Sequence, residues 1–206
     1  MFKRAVDISV AGLLLIVMSV PMLVVALLVR WKMGSPVFFR QTRPGLHGKP
    51  FELTKFRTMT HATGEEGNPL ADEVRLTPLG RWLRKLSLDE LPQFMDVLRG
   101  NMSLVGPRPL LMEYLPLYTA KQARRHEVRP GITGWAQVNG RNAQTWDERL
   151  SMDVWYVDNR SLLLDLRILS LTLLKVVRAE GVSPEGHATM PRFTGSPSKP
   201  KHQESP

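Results

Sequence analysis

Asp89 and Glu90 are the residues from which chemistry can be argued first. They stand side by side in Ser87-Leu88-Asp89-Glu90-Leu91-Pro92-Gln93, with Arg84 and Lys85 before them and Arg99 and Arg108 after. An ionised aspartate can attack phosphorus and form an acyl phosphate. Two neighbouring like charges oppose ionisation. A divalent cation, Mg²⁺ or Mn²⁺, shared by Asp89 and Glu90 would relieve that opposition and polarise a phosphoryl oxygen. On this reading Asp89 is a nucleophile, Glu90 helps to hold the metal, and the surrounding basic residues receive a phosphorylated substrate. The same heptapeptide also fits the S-x-x-E capping box, with Ser87 as N-cap, which requires no chemistry at all. Either way the pair falls near the positive end of a helix that continues through Leu91, Phe94, Met95 and Leu98 and stops at Gly100.

Several elements must position this pair. Val37-Phe38-Phe39 and Phe51-Glu52-Leu53 read as short strands around the turn Arg43-Pro44-Gly45-Leu46-His47-Gly48. Lys55-Phe56-Arg57 alternates charge with an aromatic, which places Phe56 in the core and Lys55 either beside the site or in solvent. Residues 60–75 read as a polar loop. Thr77-Pro78 reads as an N-cap followed by proline at the first helical position, and Leu79, Trp82, Leu83 and Leu86 form the apolar face of that helix. Met102 to Val105 reads as a strand. In Gly106-Pro107-Arg108-Pro109 two prolines restrict Arg108, which suits either bidentate phosphate recognition or a rigid turn with a solvent-facing arginine. Helices are expected over 113–125, 145–157 and 162–177. Arg129 to Asn142 has too much Gly and Pro for a regular element, so it reads as a loop whose backbone approaches a ligand, with Arg129 and Arg141 as anion contacts. Asp153 either supports the metal site or faces water.

The N-terminal segment sets the surroundings. Val10 to Val29 is an uncharged run long enough for a helix of about 30 Å, enough to cross a bilayer core. Pro21, with Ser19 two residues earlier, predicts a bend. Lys3 and Arg4 flank one end and Arg30 and Lys32 the other, so both ends favour the cytoplasmic side. A bent, re-entrant helix satisfies both signs, while a plain span satisfies only the length. The net charge is +9, and residues 1–60 hold nine Lys or Arg against two acids. That excess points to anionic lipid headgroups or phosphate-bearing ligands, with nucleic acid disfavoured because no nucleic-acid motif is present. The chain has no cysteine, which excludes disulfides, thiolate catalysis and cysteine-based zinc sites, and its five histidines are scattered. The organisation predicted is a membrane helix hairpin over 1–35, a catalytic domain over 36–190 and a flexible tail over 191–206.

Taken together, Lys55-Phe56-Arg57-Thr58-Met59, Ser87 to Gln93, Gly106 to Pro109, Arg129 to Asn142 and the basic-flanked N-terminus resemble the small monotopic phosphoglycosyl transferases of the bacterial sugar transferase family. The resemblance covers most of residues 1–190. It implies a helix-rich α/β fold with short strands, in which a re-entrant N-terminal helix and amphipathic helices hold a catalytic domain on the cytoplasmic face of the bacterial inner membrane. It implies transfer of a sugar 1-phosphate from a UDP-sugar to undecaprenyl phosphate with release of UMP. Asp89 would carry the phosphosugar, Glu90 would be its partner at Mg²⁺, and Lys55, Arg84, Arg108 and Arg141 would serve the phosphates. The family breaks its membrane helix at a Ser-Pro pair, whereas here one residue separates Ser19 from Pro21. Gly181 to Thr189 resembles the protein-glycosylation branch, which implies an N-acetylated amino-deoxy sugar. A homodimer is compatible with this reading. The competing class is a non-catalytic, membrane-anchored scaffold that binds anionic lipid.

Overall fold

Two helices open the chain, α1 (Phe2–Val17) and α2 (Ser19–Met33), and their axes bend by 61° at Met18. The bend has a local cause. Pro21 is the third residue of α2, where a backbone N–H has no intrahelical partner, so its missing donor is harmless once a new helix starts at Ser19. The Ser19 hydroxyl donates to the Ile16 carbonyl at 2.8 Å, one of the acceptors that the break sets free. Among the described residues no single helix is long and apolar enough to cross a membrane, whereas the bent pair meets the length and composition together. The computed structural model describes residues 2–64, 67–68, 70–140, 144–178 and 192–196.

Next come β1 (Phe38–Pro44) and β2 (Pro50–Phe56), an antiparallel hairpin in register from Phe38 opposite Phe56 to Pro44 opposite Pro50. The polar stretch after it is not wholly loop. It contains a single helical turn, α3 (Asp72–Arg75), and Leu76 pairs with Met59. In α4 (Pro78–Lys85) the predicted start is realised, since Thr77 Oγ1 accepts the Gly80 N–H at 2.9 Å and Pro78 occupies the first position. A 3-10 turn (Leu88–Glu90) leads into α5 (Gln93–Arg99).

Two short strands, β3 (Ser103–Val105) and β4 (Gly131–Thr133), pair in parallel. Their glycines exist for close packing. A Cβ on Gly131 would lie 2.1 Å from the Gly106 nitrogen, and one on Gly134 2.2 Å from the Gly106 oxygen. The expected ligand loop over 129–142 is therefore corrected: it holds β4 and α7 (Trp135–Asn139), Gly131 and Gly134 meet backbone, and Gly140 meets the Gln144 side chain. The helix expected over 113–125 is also corrected. Pro116 confines Met112–Leu117 to a 3-10 helix, and Thr119 restarts the chain with a capping box into α6 (Ala120–Ala123), followed by a second 3-10 turn, Arg124–Glu127. The chain continues with α8 (Trp146–Asn159), capped by Thr145 and Glu148, and α9 (Leu162–Val177), capped by Ser161.

The main core joins Ala11 of α1 to Leu53, Val97, Met102, Leu104, Val105, Tyr156 and Ile168. A second cluster packs Val25 and Val29 of α2 on Phe56 and Leu83. In a third, Leu110, Tyr114 and Leu150 surround Phe193, which is buried although it lies within the expected tail. Both ends of the bent pair are tied down by charge. Asp7 accepts from the Ser103 hydroxyl (2.8 Å) and the Leu104 N–H (3.1 Å). Arg4 donates to the Leu98 carbonyl, and Lys3 pairs with Asp165, which also accepts from Tyr156. At the other end the buried Arg57 donates to the carbonyls of Met33, Gly34 and Ser35, a cation set on the C-terminus of α2.

Candidate active site

The carboxylate pair does not cap a helix. Ser87 has φ +55° and ψ +20°, its side chain makes no capping hydrogen bond, and its N–H donates to the Arg84 carbonyl at 3.0 Å. Ser87 is thus the left-handed residue that ends α4, and the S-x-x-E pattern was a misleading signal. The helix after it begins only at Gln93, so Asp89 and Glu90 project from the 3-10 turn ahead of α5. The dipole of α5 acts only weakly on the pair, because the effect fades beyond the first turn.

From this turn the two carboxylates meet different surroundings. Glu90 Oε1 accepts from Lys55 Nζ of β2 at 2.5 Å and from Arg108 Nη2 at 2.7 Å. Burial alone would push its pKa up, but Arg108 and Lys55 outweigh it and hold Glu90 far below the usual carboxylate range. Glu90 raises Arg108 in return. Asp89 is 6% exposed, yet among the described residues it has no hydrogen bond and no ion pair. Burial, and then Glu90, push its pKa up, while Lys55, Arg84 and Arg108 pull less strongly the other way. An oxygen nucleophile without a hydrogen-bond partner, next to a fixed carboxylate and within the field of three cations, suits attack on an anionic phosphorus centre.

The supporting residues explain why these cations stay in place. Arg84 donates through Nε to Thr58 Oγ1 at 3.1 Å; burial lowers its pKa and Asp89 partly restores it. Gly80 permits this arrangement, because a Cβ there would lie 1.9 Å from the Thr58 oxygen. The backbone of Arg108 is fixed by Arg125, whose Nη2 donates to the Arg108 carbonyl at 2.7 Å. Arg125 is itself buried against Asp153, with Nε and Nη2 at 3.0 and 2.7 Å from Oδ2.

Of the residues singled out in the sequence, the fold therefore gathers Lys55, Arg84, Asp89, Glu90 and Arg108. Arg141 lies outside the described residues, as does the 181–189 segment. Two expectations are corrected. Asp153 neither faces water nor joins the carboxylate pair, since Arg125 neutralises it in the interior. Arg129 donates to the Gly100 carbonyl at 2.8 Å and so closes the end of α5. Sequence reasoning missed Thr58 and Arg125. Thr58 carries no chemical signal, and Arg125 ends the expected helix over 113–125 with nothing local to mark it as buried.

The described residues contain no group of three or more acidic or histidine side chains placed to hold a metal. The Asp89–Glu90 pair fits a cation of the kind that takes one or two carboxylates and draws its other ligands from water and substrate phosphates. Asp89 is unengaged, and only one oxygen of Glu90 is used by Lys55 and Arg108.

Comparison with known proteins identifies the family. The bacterial sugar transferase profile matches residues 1–179. A Bacillus subtilis (strain 168) protein named "Uncharacterized sugar transferase EpsL" is 63% identical over 194 residues, 94% of this chain and 96% of that protein. The UDP-glucose:undecaprenyl-phosphate glucose-1-phosphate transferase of Escherichia coli (strain K12) is 40% identical over 185 residues; the match takes in 85% of this chain but 40% of that enzyme's length. The exopolysaccharide production protein ExoY of Sinorhizobium fredii is 39% identical across 87% of each chain. The chain belongs to the bacterial sugar transferase family.

Proposed function

We propose that this protein transfers a sugar 1-phosphate from a UDP-sugar to undecaprenyl phosphate at a membrane surface, through a phosphosugar carried on Asp89. The observation that carries the reading is the buried, unpartnered Asp89 carboxylate beside a Glu90 clamped by Lys55 and Arg108. The names of the glucose-1-phosphate transferase relatives support the substrate classes.

In the first step an Asp89 oxygen bonds to the sugar-bearing phosphorus. The bond from that phosphorus to the bridging oxygen breaks, and UMP leaves with the electron pair. In the second step an oxygen of undecaprenyl phosphate bonds to the same phosphorus and the Asp89 oxygen departs as carboxylate. Lys55 and Arg108 keep Glu90 ionised, and with Arg84 they offset the negative charge that gathers around the phosphoryl group. Asp89 and Glu90 would hold Mg²⁺, which supplies Lewis-acid polarisation of phosphoryl oxygens. The bent α1–α2 pair is proposed to enter and leave the bilayer by one face, so that the lipid phosphate arrives at the height of the site.

Intact-protein mass spectrometry after brief exposure to a UDP-sugar without acceptor tests the reading. UDP-glucose heads the panel because the named relatives use it. A UDP N-acetylated amino-deoxy sugar comes second, on the strength of the 181–189 resemblance. A sugar-phosphate adduct that maps to Asp89 and disappears on adding undecaprenyl phosphate is expected. UMP release at the wild-type rate by Asp89→Asn would remove Asp89 from the mechanism.

A further inference from the structure

Four consecutive residues at the end of β2 each reach a different part of the molecule. Lys55 donates to Glu90 at 2.5 Å. Phe56 is buried in the cluster that joins Val25 and Val29 of α2 to Leu83 of α4. Arg57 turns back to the C-terminus of α2, with Nη1 3.1 Å from the Ser35 carbonyl and Nη2 2.8 Å from that of Gly34. Thr58 Oγ1 accepts from Arg84 at 3.1 Å, and the Thr58 carbonyl accepts from the Thr77 hydroxyl at 3.2 Å. That hydroxyl lies 3.6 Å from Met33 Sδ, again at the end of α2. Two of the three cations around Asp89 therefore take their places from this stretch, since Lys55 belongs to it and Arg84 is held by it. The carboxylate turn is seated on the same cluster, because Leu88 and Leu91, on either side of Asp89 and Glu90, pack against it. Val25 and Val29 are thus core residues shared with the site, whereas Leu23 and Leu27 on the other side of α2 are exposed. Arg57 is buried and, among the described residues, has no carboxylate within ion-pair distance. The carbonyls that end α2 are what neutralise it, and a buried cation stripped of such acceptors is costly. The end of β2 and the end of α2 therefore hold one another in place.

We propose that α2 is a working part of the site as well as an anchor, and that Arg57 is a positioning residue. Through Arg57 and the shared cluster, the seating of α2 in the bilayer sets Lys55, Arg84 and the Asp89–Glu90 turn. Given the two-step reaction proposed above, positioning and anchoring differ in the step they affect. The donor is water-soluble, so adduct formation uses no membrane lipid as a reactant. An anchor serves only the second step, by keeping the site where undecaprenyl phosphate arrives. A helix that positions the site governs the first step too, because a displacement of about 1 Å can cost about a hundredfold in rate.

The test uses the full chain in lipid nanodiscs and follows adduct formation from UDP-glucose, without acceptor, by quenched intact-protein mass spectrometry. Arg57→Gln should lower the rate constant by about tenfold or more. Arg57→Lys, which keeps the charge with fewer donors, should recover part of it. Val29→Ala, which opens space in the shared cluster, should act in the same direction by a smaller factor. Leu27→Ala, on the exposed side of the same helix, should leave the rate constant within about twofold of wild type. Should Arg57→Gln not fold, Arg57→Lys and Val29→Ala carry the test. A role for Arg57 in stability alone would reduce the amount of protein that forms adduct and leave its rate constant unchanged. A role for α2 in anchoring alone would slow only the transfer from preformed adduct to undecaprenyl phosphate. Either result would overturn the proposal. Hydrogen exchange in the same nanodiscs gives a readout that needs no reaction. The N–H groups of Glu90 and Leu91, bonded to the Ser87 and Leu88 carbonyls, should exchange faster in Arg57→Gln while those of α8 are unchanged. Unchanged exchange in the turn would count against positioning by α2. No adduct on wild type, with exchange in the turn still dependent on Arg57, would remove the covalent mechanism and uphold the coupling.

Discussion

Burying a carboxylate beside another carboxylate, without a hydrogen bond, opposes folding at neutral pH. Asp89 has its pKa raised by burial and then by Glu90, so the folded chain binds a proton more readily there than the unfolded chain does. Stability from this group falls as pH rises from the unfolded value towards the folded one, and the penalty is complete above it. Asp89→Asn should therefore abolish the adduct and also raise the unfolding midpoint at pH 7 in buffer free of divalent cations. The gain should shrink as pH falls below about 4, where Asp89 is protonated in both states. Thermal scans of both proteins at pH 7 and pH 4 check this, and a variant less stable than wild type at pH 7 would contradict it. Catalysis follows the same ionisation with the opposite preference. Adduct formation needs the carboxylate, so its rate should fall as pH falls through the ionisation of Asp89. Glu90 behaves oppositely, because Arg108 and Lys55 depress it despite burial. Its contribution to stability is present above the unfolded value of about 4.3 and is lost only as pH falls towards its depressed folded value.

At the scale of elements, α4 decides where the site stands, and Gly80 within it and Ser87 just after it make that testable. Gly80 lets α4 lie directly on the backbone at Thr58, the residue that holds Arg84. Gly80→Ala must push the helix away, so it should lower stability by about 1–3 kcal/mol and slow adduct formation as Arg84 withdraws from Asp89. Ser87 ends α4 in the left-handed region. Ser87→Gly should stabilise the fold by about 0.5 kcal/mol, since glycine adopts that conformation without the penalty of a side chain. Were Ser87 an N-cap, the same change would instead cost a few tenths of a kcal/mol, so chemical denaturation with a precision of about 0.2 kcal/mol distinguishes the two. These positions also mark how far the sequence could be read. Thr77-Pro78 and the apolar run 162–177 announce their elements because cap chemistry and periodicity are local signals. Asp89, Glu90 and Arg108 could be singled out because adjacent carboxylates among basic residues and an arginine between two prolines are local signals, and the fold brings them together. Ser87 misled because one tetrapeptide pattern serves a helix start and, by chance, a helix end. Asp153, Arg129 and the glycines at 131 and 134 were misread because their partners lie far away in sequence, and only the tertiary fold shows that a charge is neutralised or a backbone is in contact.

For the whole molecule, the question is how a catalytic body with a charged interior site meets a lipid. Neither α1 nor α2, at about 24 and 22 Å, spans a hydrocarbon core of about 30 Å alone. Their outer faces nevertheless carry exposed Leu13, Ile16, Val17, Val20, Leu23, Val24 and Leu27 around the bend. α9 adds exposed Leu163, Leu166, Leu173 and Leu174, and a mainly apolar cavity of about 120 Å³ joins its start to the first turns of α1. Such a surface would be unfavourable in water. Lys3, Arg4 and Asp7 tie the start of α1 to the catalytic body, and Arg57 ties the end of α2 to it, so both ends of the pair are held by the same body. A span would require them to lie on opposite faces of the bilayer. Because the chain has no cysteine, single replacements report on this directly. Ala5→Cys and Lys32→Cys are both at exposed positions and should react with a membrane-impermeant maleimide from the same, cytoplasmic side, while Val20→Cys at the bend stays protected until detergent is added. Labelling of Ala5→Cys and Lys32→Cys from opposite sides would establish a plain span. It would also require one of the charged ties seen here to come apart, because Arg4 and Arg57 cannot then reach the same body.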